Sequence, residues 1–321
     1  MSTYRVVILD DRFGTYSEEE KVLMSVNASI DVCDFNDDLE AINGLRDADG
    51  VLVNLFPLTA TIIEGMKKCR IISRYGVGYD NVDVDAATRA GIWVARVPDY
   101  GVEDVSDHAL ALLLGCIRKI AYKDKRIRSG AWDLQKEQPI HRIRGSTLGL
   151  IGFGLIGQAL CRKVSGLGLA EVLVHDPFVD SSEIRRAGAE PSGLDTLLKA
   201  SDYVSIHAPL SKHTTHMIGK PQLALMKRRA ILVNTARGPL VDESALYEAL
   251  ESRQIDYAGL DVFEREPLPD ENPLRRLDNV ILSDHAAWYS DESTRELQMK
   301  TARNVAEVLS GKRPTYPVNA V

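Results

Sequence analysis

Short apolar runs rich in β-branched residues alternate with helix-length segments from one end of this chain to the other, the pattern of parallel β/α/β construction. A parallel strand needs a long crossover before its neighbour, so the spacing of the runs constrains the topology. A first series runs through Arg5–Asp10, Ser29–Cys33, Gly50–Val53, Arg70–Ser73 and Ile92–Ala95, with helical stretches such as Thr59–Lys67 and Asp83–Ala90 between strands. A second runs through Thr147–Ile151, Glu171–His175, Asp202–Ile206, Ala230–Val233, Tyr257–Leu260 and Asn279–Leu282. Two sheets fit better than one, and 321 residues suffice for two cores.

A long helix pattern begins at Val102 and runs toward Arg118, with Glu103, Asp104 and Asp107 in its first turns and Arg118 and Lys119 at its end, matching the helix dipole. It reads as a connector. The last helix pattern, Glu292–Leu309, follows the final strand with nothing further to pair, so it is expected to return to the first domain. The expected organisation is one domain from residues 1–100 plus 291–321, with a second, 101–290, inserted into it.

Thirty-nine basic against 46 acidic residues give a net charge of −7, which excludes a large nucleic-acid footprint and favours a small-molecule partner. The apolar stretch Ala109–Ile117 is too short to span a bilayer, and the N-terminus reads at once as a strand, so no membrane association and a cytoplasmic location are expected. Cys33, Cys69, Cys116 and Cys161 have no metal or disulfide spacing and read as buried thiols. His207, His213 and His216 lack a metal-ligand spacing, so no metal is expected.

Gly152-Phe153-Gly154-Leu155-Ile156-Gly157 satisfies GxGxxG directly after an apolar strand and at the start of a helix. Gly152 permits the tight turn, Gly154 lets backbone approach a pyrophosphate, and Gly157 lets helix pack on strand; the first amides of the helix, including those of Leu155 and Ile156, are phosphate donors. The motif requires an acid about 20 residues on to hold the adenosine ribose, and Asp176 stands there. Pro177 and Phe178 offer no cation for a 2′-phosphate, so NAD is expected rather than NADP. The fold class is therefore α/β, two doubly wound parallel-sheet domains, with a Rossmann NAD-binding domain inserted into a flavodoxin-like substrate domain.

Three further strand ends carry unusual polar residues: Asn234–Glu243, Gly259–Pro267 and Ser283–Ser290. Ligands of open α/β sheets bind beyond the carboxyl ends of strands, so Arg237, Asp261, Glu266 and His285 are expected at the nicotinamide end of the cofactor. Hydride transfer at a carbon bearing oxygen needs a proton donor, and His285 is the candidate. Glu266 would fix its tautomer and favour its protonated form; Arg237 would polarise the carbonyl and grip a carboxylate; Asp261 would meet the nicotinamide carboxamide. Glu264 and Asp284 compete for the acid role.

Taken together, these motifs resemble the D-isomer-specific 2-hydroxyacid dehydrogenases over essentially the whole length, and RYGVGYDNVD, NTARG and HAAWYS are most similar to the C-terminal-binding-protein branch. The resemblance implies the catalytic roles of Arg237, Glu266 and His285, and Glu266 is preferred to Glu264 and Asp284 because it precedes Pro267 as in the family motif. It also implies that the Val77 and Gly78 amides hold the substrate carboxylate, that Arg74 and Trp288 face the substrate, and that His207, Ala208, Pro209, Thr235 and Ala236 lie beside the cofactor. Asn54 falls where a phosphoglycerate dehydrogenase carries a basic residue, which lowers the case for a phosphorylated substrate. A homodimer through the NAD-binding domain is expected, with Val102–Ile117 and an arm at Ser129–Arg144, containing Trp132, at the contact. The alternative from another class is an NAD(H)-sensing corepressor with little turnover.

Overall fold

The computed structural model describes residues 4–10, 13–132 and 139–321. Two compact units divide the chain, Met1–Gly101 with Ser290–Val321 and Val102–Tyr289, and each has its own parallel sheet.

In the first unit, strands β1 (Tyr4–Leu9), β2 (Ala28–Cys33), β3 (Gly50–Val53), β4 (Ile71–Arg74) and β5 (Trp93–Ala95) lie in the order β2-β1-β3-β4-β5, a flavodoxin-like order. Every residue of β3 and β4 is buried, as strands covered on both faces require. Helices α1 (Ser17–Leu23), α2 (Asp38–Leu45), α3 (Ala60–Gly65) and α4 (Val84–Arg89) fill the crossovers. Thr59 and Asp83, expected inside helices, are instead N-caps whose side chains accept the Ile62 and Ala86 amides. The C-terminal helix, Asp291–Leu309, packs against α1 and β4, and its Thr301 carbonyl accepts the Ser73 hydroxyl at 3.0 Å.

The second unit opens with α5 (Val102–Arg118) and α6 (Ile120–Arg128). The chain breaks between them at Lys119, a left-handed residue (φ +53°) whose ammonium is buried against Asp256 at 3.1 Å and the Tyr257 ring. Strands β6 (Thr147–Ile151), β7 (Glu171–His175), β8 (Glu190–Pro191), β9 (Tyr203–Ile206), β10 (Ile231–Asn234), β11 (Tyr257–Leu260) and β12 (Val280–Leu282) follow, with α7 (Leu155–Val164), α8 (Ser181–Arg186), α9 (Leu194–Ala200), α10 (Lys220–Leu225) and α11 (Glu243–Glu251) between them. The order β12-β11-β10-β9-β6-β7-β8 reverses between β6 and β9, the switch point of a Rossmann sheet. The apolar face of α5 covers β10 and β11, with Leu112, Leu113 and Cys116 buried.

Part of the expected arm, residues 133–138, lies outside the described residues; Trp132 is 90% exposed. All four cysteines are free; Cys116 and Cys161 are buried, Cys33 is partly exposed on the edge strand β2, and Cys69 is a partly exposed residue whose thiol is buried against the Ile71 carbonyl. No helix among the described residues is long and apolar enough to cross a membrane.

Asp202 ties the amino ends of three strands together. Its carboxylate accepts the Thr147 amide at 3.0 Å and pairs with Lys227 at 3.1 Å and Arg229 at 3.2 Å, while its carbonyl accepts the Ile231 amide. Burial pushes this carboxyl up, but the Thr147 amide and the two cations outweigh burial and hold it below the ordinary carboxylate value. A depressed folded pKa contributes stability above the unfolded value, near 3.9, that is lost as pH falls through the folded one. Asp202→Asn is therefore expected to be less stable than the natural chain at pH 7, with the gap closing toward pH 2–3, as read by chemical denaturation at both ends of that range.

Candidate active site

The glycine loop leaves β6 at its carboxyl end. Gly152 sits at φ +91°, and a Cβ there would lie 2.5 Å from the Ala208 nitrogen, because the backbone leaving β9 crosses directly over it. A Cβ on Gly157 would meet the Gly152 carbonyl at 2.4 Å, so its absence lets α7 close on the loop. Gly154 has open space at its Cβ position and caps α7 without a side chain. The amides of Leu155 and Ile156 have no acceptor among the described residues, as expected at a helix start. Asp176 ends β7 and locks the loop: its carboxylate accepts the amides of Phe153 at 2.8 Å and Phe178 at 2.9 Å.

After β9, the His207 amide donates to Ile151 and its Nε2 lies 2.9 Å from the Ser205 hydroxyl. Burial pushes this imidazole down to about 4, so it is neutral at pH 7. Ala208 is buried and Pro209 is exposed beside it. After β10, Asn234 clamps the turn by accepting the Ala236 amide at 3.0 Å and donating to the Arg237 carbonyl at 2.9 Å. Thr235 leaves its hydroxyl oxygen buried with no partner among the described residues. Uncapped amides opening α7, an acid at the end of β7 and an orphaned buried hydroxyl form a donor and acceptor set that fits a dinucleotide.

The catalytic candidates occupy the next loops. A Cβ on Gly238 would lie 1.9 Å from the Phe263 backbone, so the loop after β11 rests directly on the turn that carries Arg237. In that loop Glu266 accepts the Phe263 amide at 3.0 Å with one oxygen and meets His285 Nδ1 at 2.6 Å with the other. Burial pushes the Glu266 carboxyl up, but the bond to His285, its charge, the Phe263 amide and Arg237 more than offset this and hold it below the ordinary value. An ionised carboxylate only accepts, so Nδ1 carries the proton and Nε2 is the nitrogen left for chemistry. The competing acids are placed otherwise: Glu264 accepts the Glu243 amide and pairs with His216 at 2.8 Å, and Asp284 is exposed.

His285 is held at φ +58°, a left-handed conformation that costs a non-glycine residue about 1–3 kcal/mol. Asp261 holds it there. The His285 amide donates to the Asp261 carbonyl at 2.8 Å, and the Asp261 carboxylate, in a residue 1% exposed, accepts the Ala286 and Ala287 amides at 3.0 Å each and the Ser283 hydroxyl at 2.6 Å. The sequence points to Asp261 only as a cofactor contact; the bracing emerges from the folded loop. Trp288, half-buried, stacks edge-on against Tyr289 with ring centres 5.7 Å apart.

In the first unit, Arg74 is buried at the end of β4 and its guanidinium fills the space over Gly76, where a Cβ would lie 1.8 Å from Nη1. Gly76 is also at φ +129°, so only glycine serves there. The Val77 and Gly78 amides that follow have no acceptor among the described residues, while Arg96 lies on the Val77 carbonyl at 3.4 Å. Tyr75, within the same turn, donates at 2.8 Å to the buried Glu19. Nothing in the acidic run Ser17–Glu20 marks one of its carboxylates as buried.

A family profile described as "D-isomer specific 2-hydroxyacid dehydrogenase, NAD binding domain" matches residues 110–287. The chain is also 41% identical to a glyoxylate reductase of Korarchaeum cryptofilum over 87% of its own length and 85% of that protein's. It belongs to the D-isomer specific 2-hydroxyacid dehydrogenases.

Solved structures support the same placement. D-lactate dehydrogenase from Aquifex aeolicus, complexed with NAD and lactic acid, superposes with a TM-score of 0.85 at 28% identity, covering 95% of this chain and 96% of that one. An acyclic imino acid reductase in complex with NADPH and D-Arg superposes at 0.87 with 29% identity, covering 98% and 100%. In this dehydrogenase the glycine loop yields a contrast between two substitutions. Gly152→Ala is expected to destabilise the second unit by about 1–3 kcal/mol, as read by denaturation. Gly154→Ala, with room for its methyl, should keep natural stability but weaken NADH binding in a fluorescence titration; unchanged binding would argue against backbone approach at this glycine.

Proposed function

We propose that this dehydrogenase interconverts a small D-2-hydroxy acid and its 2-oxo acid using NAD(H), with Arg237, Glu266 and His285 as the catalytic set. The observation that carries the reading is the 2.6 Å Glu266–His285 bond, which leaves Nε2 of a histidine free at the carboxyl ends of the strands. When bound, NADH supplies the hydride to the carbonyl carbon. His285 Nε2 gives the proton to the oxygen and takes it back in the reverse direction, Glu266 holds the ring and its charge, and Arg237 polarises the carbonyl. The Val77 and Gly78 amides are the proposed carboxylate donors, with Arg74 and Trp288 setting which substrate side chain is accepted. These two residues also motivate our placing the chain nearest the C-terminal-binding-protein branch.

For the cofactor we assign Gly152, Gly154, Leu155, Ile156, Gly157 and Asp176 to the adenosine and pyrophosphate side. His207, Ala208, Pro209, Thr235, Ala236 and Asp261 are assigned to the remainder. NAD is preferred to NADP because Asp176 stands where a 2′-phosphate would sit and is followed by Pro177 and Phe178. We place the protein in the cytoplasm as a homodimer formed by the second unit. Supporting the dimer, α6 buries no side chain, and Ile120, Ile127 and Trp132 stand 59%, 51% and 90% exposed. Sedimentation at micromolar concentration should give a dimer, and a monomer would contradict this.

Turnover is tested by NADH oxidation with glyoxylate, hydroxypyruvate, phenylpyruvate and 2-oxoglutarate. At least one should be reduced, and His285→Ala should lower kcat by roughly 10²–10⁴ while leaving NADH binding intact. Full activity in that variant would remove His285 from the chemistry. Tight NADH binding without turnover of any acid would favour the sensor reading instead.

A further inference from the structure

We propose that His108, on α5, is a positioning residue for proton transfer, acting through Ser283 and Asp261 on the backbone of His285. The proposal deepens the assignment of His285 as the acid and base and rests on it. His108 is a polar residue on α5, whose buried face apart from Ser106 is apolar, and its Nε2 lies 2.9 Å from the Ser283 hydroxyl and 3.5 Å from Asp261 Oδ1.

The direction of these bonds follows from a proton count. Ser283 has one hydroxyl proton, and its 2.6 Å approach to the Asp261 carboxylate, which can only accept, commits that proton there. The Ser283 oxygen is then the acceptor toward His108, so His108 Nε2 carries the hydrogen. A chain of donation results, from His108 to Ser283 to Asp261, and it ends on the carboxylate that holds the Ala286 and Ala287 amides.

A buried carboxylate is tolerated when its lone pairs are filled by donors. Among the described residues, His108 is the one basic side chain within ion-pair distance of Asp261. Removing its N–H leaves the Ser283 oxygen without a donor and Asp261 without that partner. The loop that keeps His285 in its left-handed conformation is then held less firmly, and Nε2 loses its defined position. Small misplacements of a catalytic group are expensive, on the order of 10²-fold for 1 Å.

The test compares His108→Phe, which keeps the ring volume but no donor, with His108→Gln, which keeps a donor at similar reach. Amide hydrogen exchange at Ala286 and Ala287, read by NMR on cofactor-free protein, reports the brace without relying on turnover. Initial rates with NADH and the best 2-oxo acid of the panel report its use. His108→Phe should speed exchange at both amides and lower kcat by about 10-fold, by more than it raises KM, and His108→Gln should restore most of both. If His108→Phe does not fold, Ser283→Ala, which cuts the same chain one link on, should show the same two losses.

Unchanged exchange would overturn the brace. Faster exchange with unchanged kcat, or equal impairment of the Phe and Gln variants, would overturn the positioning role. Failure of the underlying assignment reads differently, as full turnover in His285→Ala.

Discussion

A carboxylate buried at the end of an inner strand must have its oxygens hydrogen-bonded, and meeting that demand at Asp261 shapes the loop that carries His285. Two backbone amides and a serine hydroxyl converge on it, and its own carbonyl takes the His285 amide. The loop can satisfy all of these only by turning sharply, which places His285 in a conformation that non-glycine residues avoid. Strain at that residue is offset by the bonds around it, and the imidazole is presented to Glu266 with one nitrogen spoken for.

Close backbone approach is the second constraint, and glycines mark where it happens. The strand-end loops of the second unit stack on one another: the segment after β9 lies over Gly152, and the segment after β11 lies on Gly238. Side chains at either glycine would force these loops apart. The first contact shapes the glycine loop, and the second brings Glu266 toward the turn of Arg237. The glycine loop and the loops that carry Arg237 and Glu266 are thus positioned by the same device, main chain on main chain.

Much of this was legible in the residues. Thr147–Ile151, Glu171–His175 and Tyr257–Leu260 stand as strands with the expected bounds, because alternation of apolar runs with long crossovers leaves little freedom in a parallel sheet. Spacing from the glycine loop points to Asp176, which the fold sets at the end of β7 on the Phe153 amide, and the family resemblance points to Glu266, the acid that meets His285. What escaped depends on tertiary contact alone. Glu19 sits in an acidic run that reads as solvated, yet a phenol from a distant turn meets it in the core. The partnership of His108 with Ser283 and Asp261 joins a helix to two loops far along the chain, and no local pattern announces it. The break at Lys119 was hidden for a related reason: a left-handed lysine is stabilised by Asp256 and Tyr257, not by anything in its own sequence neighbourhood.

The central claim is that Glu266 and His285 act as one unit in proton transfer. A double-mutant cycle on kcat/KM for the reduced 2-oxo acid, comparing Glu266→Gln, His285→Ala and the double variant, tests it most directly. Residues that work as a unit lose their function together, so the double variant should be no slower than His285→Ala alone. Losses that simply multiply would mean that the two side chains act independently, which would contradict a shared role in moving the proton.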